Sequence, residues 1–112
     1  MVDIEAKSKS TAFVCNLGVM NGEERARYVA LSRKLMGASE ERRELDNGYA
    51  FRLLSQKISL LEIAEWVKLE RRCCPFFNLQ IEAEPNDGPI WLRMTGAAGA
   101  KEFIRSEIGA RS

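Results

Sequence analysis

Residues 77–95 read Phe77-Asn78-Leu79-Gln80-Ile81-Glu82-Ala83-Glu84-Pro85-Asn86-Asp87-Gly88-Pro89-Ile90-Trp91-Leu92-Arg93-Met94-Thr95. Phe77, Leu79, Ile81 and Ala83 alternate with Asn78, Gln80, Glu82 and Glu84, the period of two that sends successive side chains to opposite faces of a strand. Pro85-Asn86-Asp87-Gly88 then supplies turn formers, and the alternation resumes with Ile90, Leu92 and Met94 opposite Trp91, Arg93 and Thr95. Two alternating runs around such a turn predict an antiparallel hairpin.

Upstream, Glu40 to Asp46 and Tyr49 to Leu53 flank Asn47-Gly48, a dipeptide suited to a type I′ turn, so a second hairpin is expected with Tyr49, Phe51 and Leu53 on its buried face. Between the hairpins, Ser59-Leu60-Leu61-Glu62 has the form of a capping box. Ile63, Ala64, Trp66, Val67 and Leu69 continue it as an apolar band, which predicts a helix to about Arg72. Pro75 disfavours helical geometry at Cys74 and sets the paired cysteines at the last turn or just past it.

Nearer the start, Asn21 and Glu24 have cap spacing, Glu23 and Glu24 suit the helix dipole, and Tyr28, Leu31 and Leu35 recur as one stripe. Arg25, Arg27, Arg33 and Lys34 read as the solvated face of that helix, with Gly37 as its stop. A last helix is expected from near Ala97, burying Ala100, Phe103, Ile104 and Ile108. Thr11 to Leu17 alternates through Phe13, Cys15 and Leu17 and reads as a short strand or extended segment with Cys15 toward the core. Residues 1–10 are polar and aperiodic, a flexible tail before a single domain over residues 11–112. The expected fold is α+β: an antiparallel sheet of two hairpins plus an N-terminal strand, with three helices packed mainly on one face. A split pair of smaller sheets is the alternative, and the sequence does not set the strand order.

A chain of 112 residues, 46% of them hydrophobic, suits one core. Basic and acidic side chains number 17 and 16, and a net charge of +1 gives no general field for nucleic acid or an anionic membrane. No apolar run approaches a spanning helix and the first ten residues are not signal-like, so a cytoplasmic protein is expected. With 3 cysteines, a disulfide scaffold is not indicated and reduced thiols are the expectation. With 0 histidines, Ser/His/Asp and Cys/His catalysis is excluded.

The chemically pointed feature is Cys73-Cys74 before Pro75. Neighbouring thiols can close on one large soft ion, whereas a disulfide between them closes a strained eight-membered ring. Packing beneath Phe76 and Phe77 is the plainer role for both. Arg71 and Arg72 favour thiolate while the helix C-terminus and apolar neighbours oppose it. If Cys15 lies near the end of that helix, three sulfurs make a trigonal site for mercury(II) or arsenic(III), while tetrahedral zinc needs a fourth ligand. Glu62, Glu65 and Glu70 share the helix, and Glu70 is carried as a supporting carboxylate. Trp66 and Trp91 read as core or interface aromatics, and Gly96-Ala97-Ala98-Gly99 as a tight turn lacking the lysine and spacing of a phosphate loop.

Leu69-Glu70-Arg71-Arg72-Cys73-Cys74-Pro75-Phe76-Phe77, together with Gly88-Pro89-Ile90-Trp91-Leu92-Arg93-Met94-Thr95-Gly96 and Lys101-Glu102-Phe103, resembles a family of small, uncharacterised bacterial proteins with a Cys-Cys-Pro-Phe signature. Cys15-Asn16-Leu17 and Asp46-Asn47-Gly48-Tyr49-Ala50-Phe51 fit as well, so the likeness spans about residues 13 to 105. A similar tail occurs on some regulators of the mercury-responsive type. The resemblance implies that Cys15, Cys73 and Cys74 belong together and points to soft-metal or metalloid handling, without supplying an activity.

The expected function is therefore binding of a thiophilic metal or metalloid by Cys73, Cys74 and Cys15, in a sequestering, delivery or sensing module. No cofactor beyond that ion is implied. The alternatives are a thiol-redox or thiol-transfer enzyme in which one cysteine attacks and its neighbour resolves, and a non-catalytic module that forms a homodimer through exposed aromatics such as Trp91.

Overall fold

The computed structural model describes the backbone of residues 15–111 and the side chains of residues 15–107. The flexible tail over residues 1–10, the residues 11–14 of the expected first strand and the side chain of Ile108 lie outside the described residues.

Both expected hairpins form. Strands β1 (Ser39–Leu45) and β2 (Gly48–Leu53) pair antiparallel, as do β3 (Asn78–Ala83) and β4 (Ile90–Thr95). The hairpins lie side by side through β2 and β4, giving one four-stranded antiparallel sheet in the order β1-β2-β4-β3 rather than two smaller sheets. Its inner rows run Leu79, Met94, Tyr49 and Ile81, Leu92, Phe51 across the sheet, so the apolar side chains of three strands meet on one face.

The turns differ from the sequence reading in an instructive way. Leu45 pairs with Gly48, so the loop of the first hairpin is Asp46-Asn47 and not Asn47-Gly48. Among the described residues only Asn86, Asp87 and Gly99 have positive φ, which rules out a type I′ turn at that loop. Gly48 is needed for a different reason: a Cβ there would stand 1.9 Å from the carbonyl oxygen of Met94, where the two hairpins are seamed together. The left-handed pair belongs to the other hairpin, where Asn86 (φ 62°) and Asp87 (φ 55°) sit between Pro85 and Gly88, closed by Gly88 N–H donating to Pro85 C=O at 3.1 Å. Asn and Asp tolerate this region better than other side chains.

Three α-helices complete the domain: α1 (Gly22–Ala38), α2 (Leu60–Cys73) and α3 (Ala100–Arg111). Both expected capping boxes are present, Asn21 with Glu24 and Ser59 with Glu62. Gly37 does not stop α1; the helix continues through Ala38 and passes directly into β1. Residues from all three helices and the inner sheet face, including Leu31, Ile63, Trp66, Phe51, Leu92 and Ile104, form one buried cluster. Across solvent, α1 and α2 are tied by Arg27–Glu65, Lys34–Glu62 and Arg72–Glu24. No helix among the described residues is long and apolar enough to cross a membrane.

The described part of the expected N-terminal strand, Cys15 to Leu17, is not part of the sheet. Cys15 and Asn16 lie outside regular structure and Leu17–Val19 form a single 3-10 turn capped by the Asn16 side chain. Among the described residues of this segment Cys15 packs against the core while Leu17 is 41% exposed, so the alternation is not matched by one buried face.

Trp91, read as a core or interface aromatic and also as an exposed one for a homodimer, is buried. It lies on the sheet face opposite the helices but is only 9% exposed, with the Arg43 guanidinium 4.8 Å from its ring centroid and its Nε1–H donating to Glu84 at 2.7 Å. It is covered within its own chain and is not exposed.

Candidate thiol site

Helix α2 carries Cys73 to the inner side of its last turn because Ile63, Trp66, Glu70 and Cys73 recur at three- and four-residue steps, the spacing of one helical face. Cys74 is the C-cap, with φ −128° and ψ 72°, and its N–H still donates to Glu70 C=O at 2.7 Å. Pro75 follows and prevents a further turn. Cys73 and Cys74 are 0% and 1% exposed.

The segment before α1 reaches the same place. Asn16 N–H donates to the carbonyl of Cys73 at 2.7 Å, which pins Cys15 beside the end of α2. The Arg72 guanidinium adds a second tie by donating to Val19 C=O and to Glu24, both at 2.7 Å. As a result the sulfurs of Cys15, Cys73 and Cys74 lie within 4.8 Å of one another. The three cysteines distinguished in the sequence are thus one cluster.

Their bonding corrects the expectation of three reduced thiols. Cys15 and Cys74 form a disulfide across 59 residues, with Cα atoms 4.6 Å apart. That separation lies in the range a disulfide spans, and a bridge between distant residues avoids the strained ring that a vicinal Cys73–Cys74 bond would close. Cys73 stays outside the disulfide, its sulfur 3.5 Å from that of Cys74.

Glu70 stands beside the thiols as the sequence reading had it, but its burial was not foreseen. Glutamates on an amphipathic helix usually face water, and Glu62 and Glu65 do so, paired with Lys34 and Arg27. Glu70 is 4% exposed and accepts a 2.6 Å hydrogen bond from the Tyr28 hydroxyl, with the Cys73 sulfur 4.0 Å from the same carboxylate oxygen. Tyr28 had read only as part of the apolar stripe of α1; its hydroxyl in fact completes this polar group inside the core. The available signal was Glu70's place on the buried stripe of α2, three residues before Cys73, where a carboxylate needs a partner.

The arrangement has the parts for two kinds of sulfur chemistry. Reduced, it presents three thiols to one centre, with a carboxylate alongside. Oxidised, it holds a disulfide with a third sulfur close to one of its atoms. Comparisons of the chain with family models, curated proteins and solved structures find no match.

Proposed function

We propose that the reduced protein binds a thiophilic metal or metalloid ion through Cys15, Cys73 and Cys74. The observation that carries this reading is the convergence of three sulfurs within 4.8 Å from two distant segments of the chain. Soft thiolate donors select soft ions, and the chain has 0 histidines to recruit a mixed nitrogen site. The likeness to proteins with the Cys-Cys-Pro-Phe signature points the same way. Sequestration, delivery and sensing all begin with this binding step.

The Cys15–Cys74 disulfide makes binding conditional on reduction. A phosphine supplies the two electrons with water: the S–S bond breaks, phosphine oxide forms and two thiols result. Arsenite or mercury(II) then binds at one equivalent, read by calorimetry or by sulfur-to-metal charge-transfer absorption. For mercury(II) the bound form is thiolate, so protons are released and affinity falls as pH falls. Cys73→Ser with Cys74→Ser leaves one sulfur and abolishes chelation, while Cys15→Ser weakens it. A reduced parent that takes up neither ion, or a double variant that binds as tightly, refutes the proposal.

A second reading draws on the 3.5 Å separation of the Cys73 and Cys74 sulfurs. Cys73 thiolate attacks Cys74 Sγ, an S–S bond forms between them, the Cys15–Cys74 bond breaks and Cys15 leaves as thiolate. Such an exchange enzyme turns over mixed disulfides without metal and loses that activity in Cys73→Ser.

A further inference from the structure

Cys15 opens onto a cavity of about 60 Å³ between α1, the sheet and α3. Among the described residues its polar lining is Cys15, Tyr28, Glu70 and Glu107, and the others are apolar, with Leu35, Phe51, Met94 and Ile104 all buried. Tyr28 and Glu70 are hydrogen-bonded to each other, so this end of the chamber already has its polar groups joined. The cavity is well below the ~150 Å³ apolar cavity that takes benzene. Its walls enclose room for a methyl or ethyl group but not for a whole aryl ring.

We infer that the preferred ligand of the three-sulfur site is a trivalent soft element carrying one small alkyl substituent, held by Cys15 and Cys74 with the alkyl group in this cavity. The inference rests on the metal or metalloid reading above and names its substrate class. Two observations lead to it. Cys15 and Cys74 are the pair that the fold brings to bonding distance, so a centre that accepts two sulfurs fits between them. Cys15 also belongs to the cavity wall, so a third substituent on that centre has an apolar place to go. With methylarsenic(III) dihydroxide, two As–S bonds form, two As–O bonds break, each hydroxide leaves as water with a thiol proton, and arsenic stays trivalent. Inorganic arsenite has no alkyl group to bury and gains nothing from the cavity.

The test uses the full chain reduced with a phosphine, which does not chelate arsenic as a dithiol would. Affinities for methylarsenic(III), phenylarsenic(III) and arsenite are measured by calorimetry on the parent and on Cys73→Ser, which keeps the Cys15–Cys74 pair and denies arsenite a third sulfur, beside those of a small reference dithiol. Burying one methyl group corresponds to roughly a fourfold gain in affinity. The methyl-to-arsenite affinity ratio of Cys73→Ser is therefore expected to exceed that of the reference dithiol about fourfold, and the phenyl compound to lose this advantage. Met36→Phe and Met94→Phe, each added to Cys73→Ser, fill the cavity from the α1 and sheet walls and bring the ratio back to the reference value. Two variants are used so that failure of one to fold does not decide the matter. Arsenite binding with a ratio equal to the reference, or a raised ratio that survives both variants, overturns the cavity inference and leaves the three-sulfur reading standing. Failure of the reduced parent to bind any of the three overturns the reading itself.

Discussion

Glu62 and Glu70 lie about two turns apart on α2, and the protein treats them in opposite ways. Glu62 faces solvent near the start of the helix, where the Lys34 ammonium and the Ser59 N–H hold its carboxyl down to about 2. Glu70 is buried near the end, accepting from Tyr28 and facing the Cys73 sulfur. The first is fixed by local rules: a capping box, a helix N-terminus and a basic side chain on the adjacent helix. The second is fixed by what the fold brings to it from α1 and from the segment holding Cys15. One end of the helix secures secondary structure and the other assembles chemistry.

The contrast can be broken most strongly by cutting the disulfide that closes the chemical end. Its loop spans 59 residues, for which chain entropy gives about 4 kcal/mol, with measured disulfides commonly at 2–4. Denaturant unfolding with and without a phosphine is expected to show a loss of this size, and no loss in Cys15→Ser, which has no bridge to cut. An equal response in that variant would assign the effect to something other than the bridge.

A smaller effect is expected from Glu70→Ala, which takes the acceptor from the Tyr28 hydroxyl inside the core and should cost about 1–3 kcal/mol. Restoring an acceptor with Glu70→Gln should recover part of it. If both variants unfold at the parent's denaturant midpoint, the buried end is not sustained by this hydrogen bond.

The smallest effect belongs to the solvent end and shows only in acid. Glu62, Glu24, Glu65 and Glu44 all have carboxyl pKa values lowered by basic partners, led by Lys34, Arg72, Arg27 and Lys101. A lowered folded-state value means that stabilisation is present above the unfolded value near 4.5 and is lost as pH falls through the folded value, which for Glu62 is about 2. Melting temperature should therefore decline from pH 5 to pH 2, and Glu62→Gln should flatten part of that decline. An unchanged acid limb in the variant would remove Glu62 from the account.

The same contrast explains what could be read in the sequence. Ser59, Glu62, Asn21 and Glu24 announce helix starts because their partners lie three residues away, and the alternations of residues 49–53 and 90–95 announce strands because each residue's face is set by its neighbour. The fold class and both hairpins follow from such local signals. The finer errors are positions where distance in space decides. Asn47-Gly48 looked like a left-handed turn, but Gly48 is required by the closeness of Met94. Cys15 to Leu17 looked like part of a strand, but Asn16, although extended, is committed to the end of α2 and not to the sheet. At the site, Cys73 and Cys74 were visible as a pair, whereas the Cys15–Cys74 bond and the Tyr28–Glu70 hydrogen bond depend on contacts across 59 and 42 residues. No pattern of a few residues encodes them.

The placement of the two tryptophans gives the domain its own optics. Trp66 stacks on Tyr28 with ring centroids 6.4 Å apart, and Tyr28 reaches Glu70 beside the sulfurs. Trp91 lies on the far face of the sheet beneath Arg43, outside the buried cluster that contains Trp66 and the cysteines. One indole is thus coupled to the sulfur cluster through a single aromatic neighbour, and the other is shielded from it by the sheet. Emission from Trp66 reports on heavy atoms or rearrangement at the thiols, while emission from Trp91 provides an internal baseline, so the chain needs no added dye to be read.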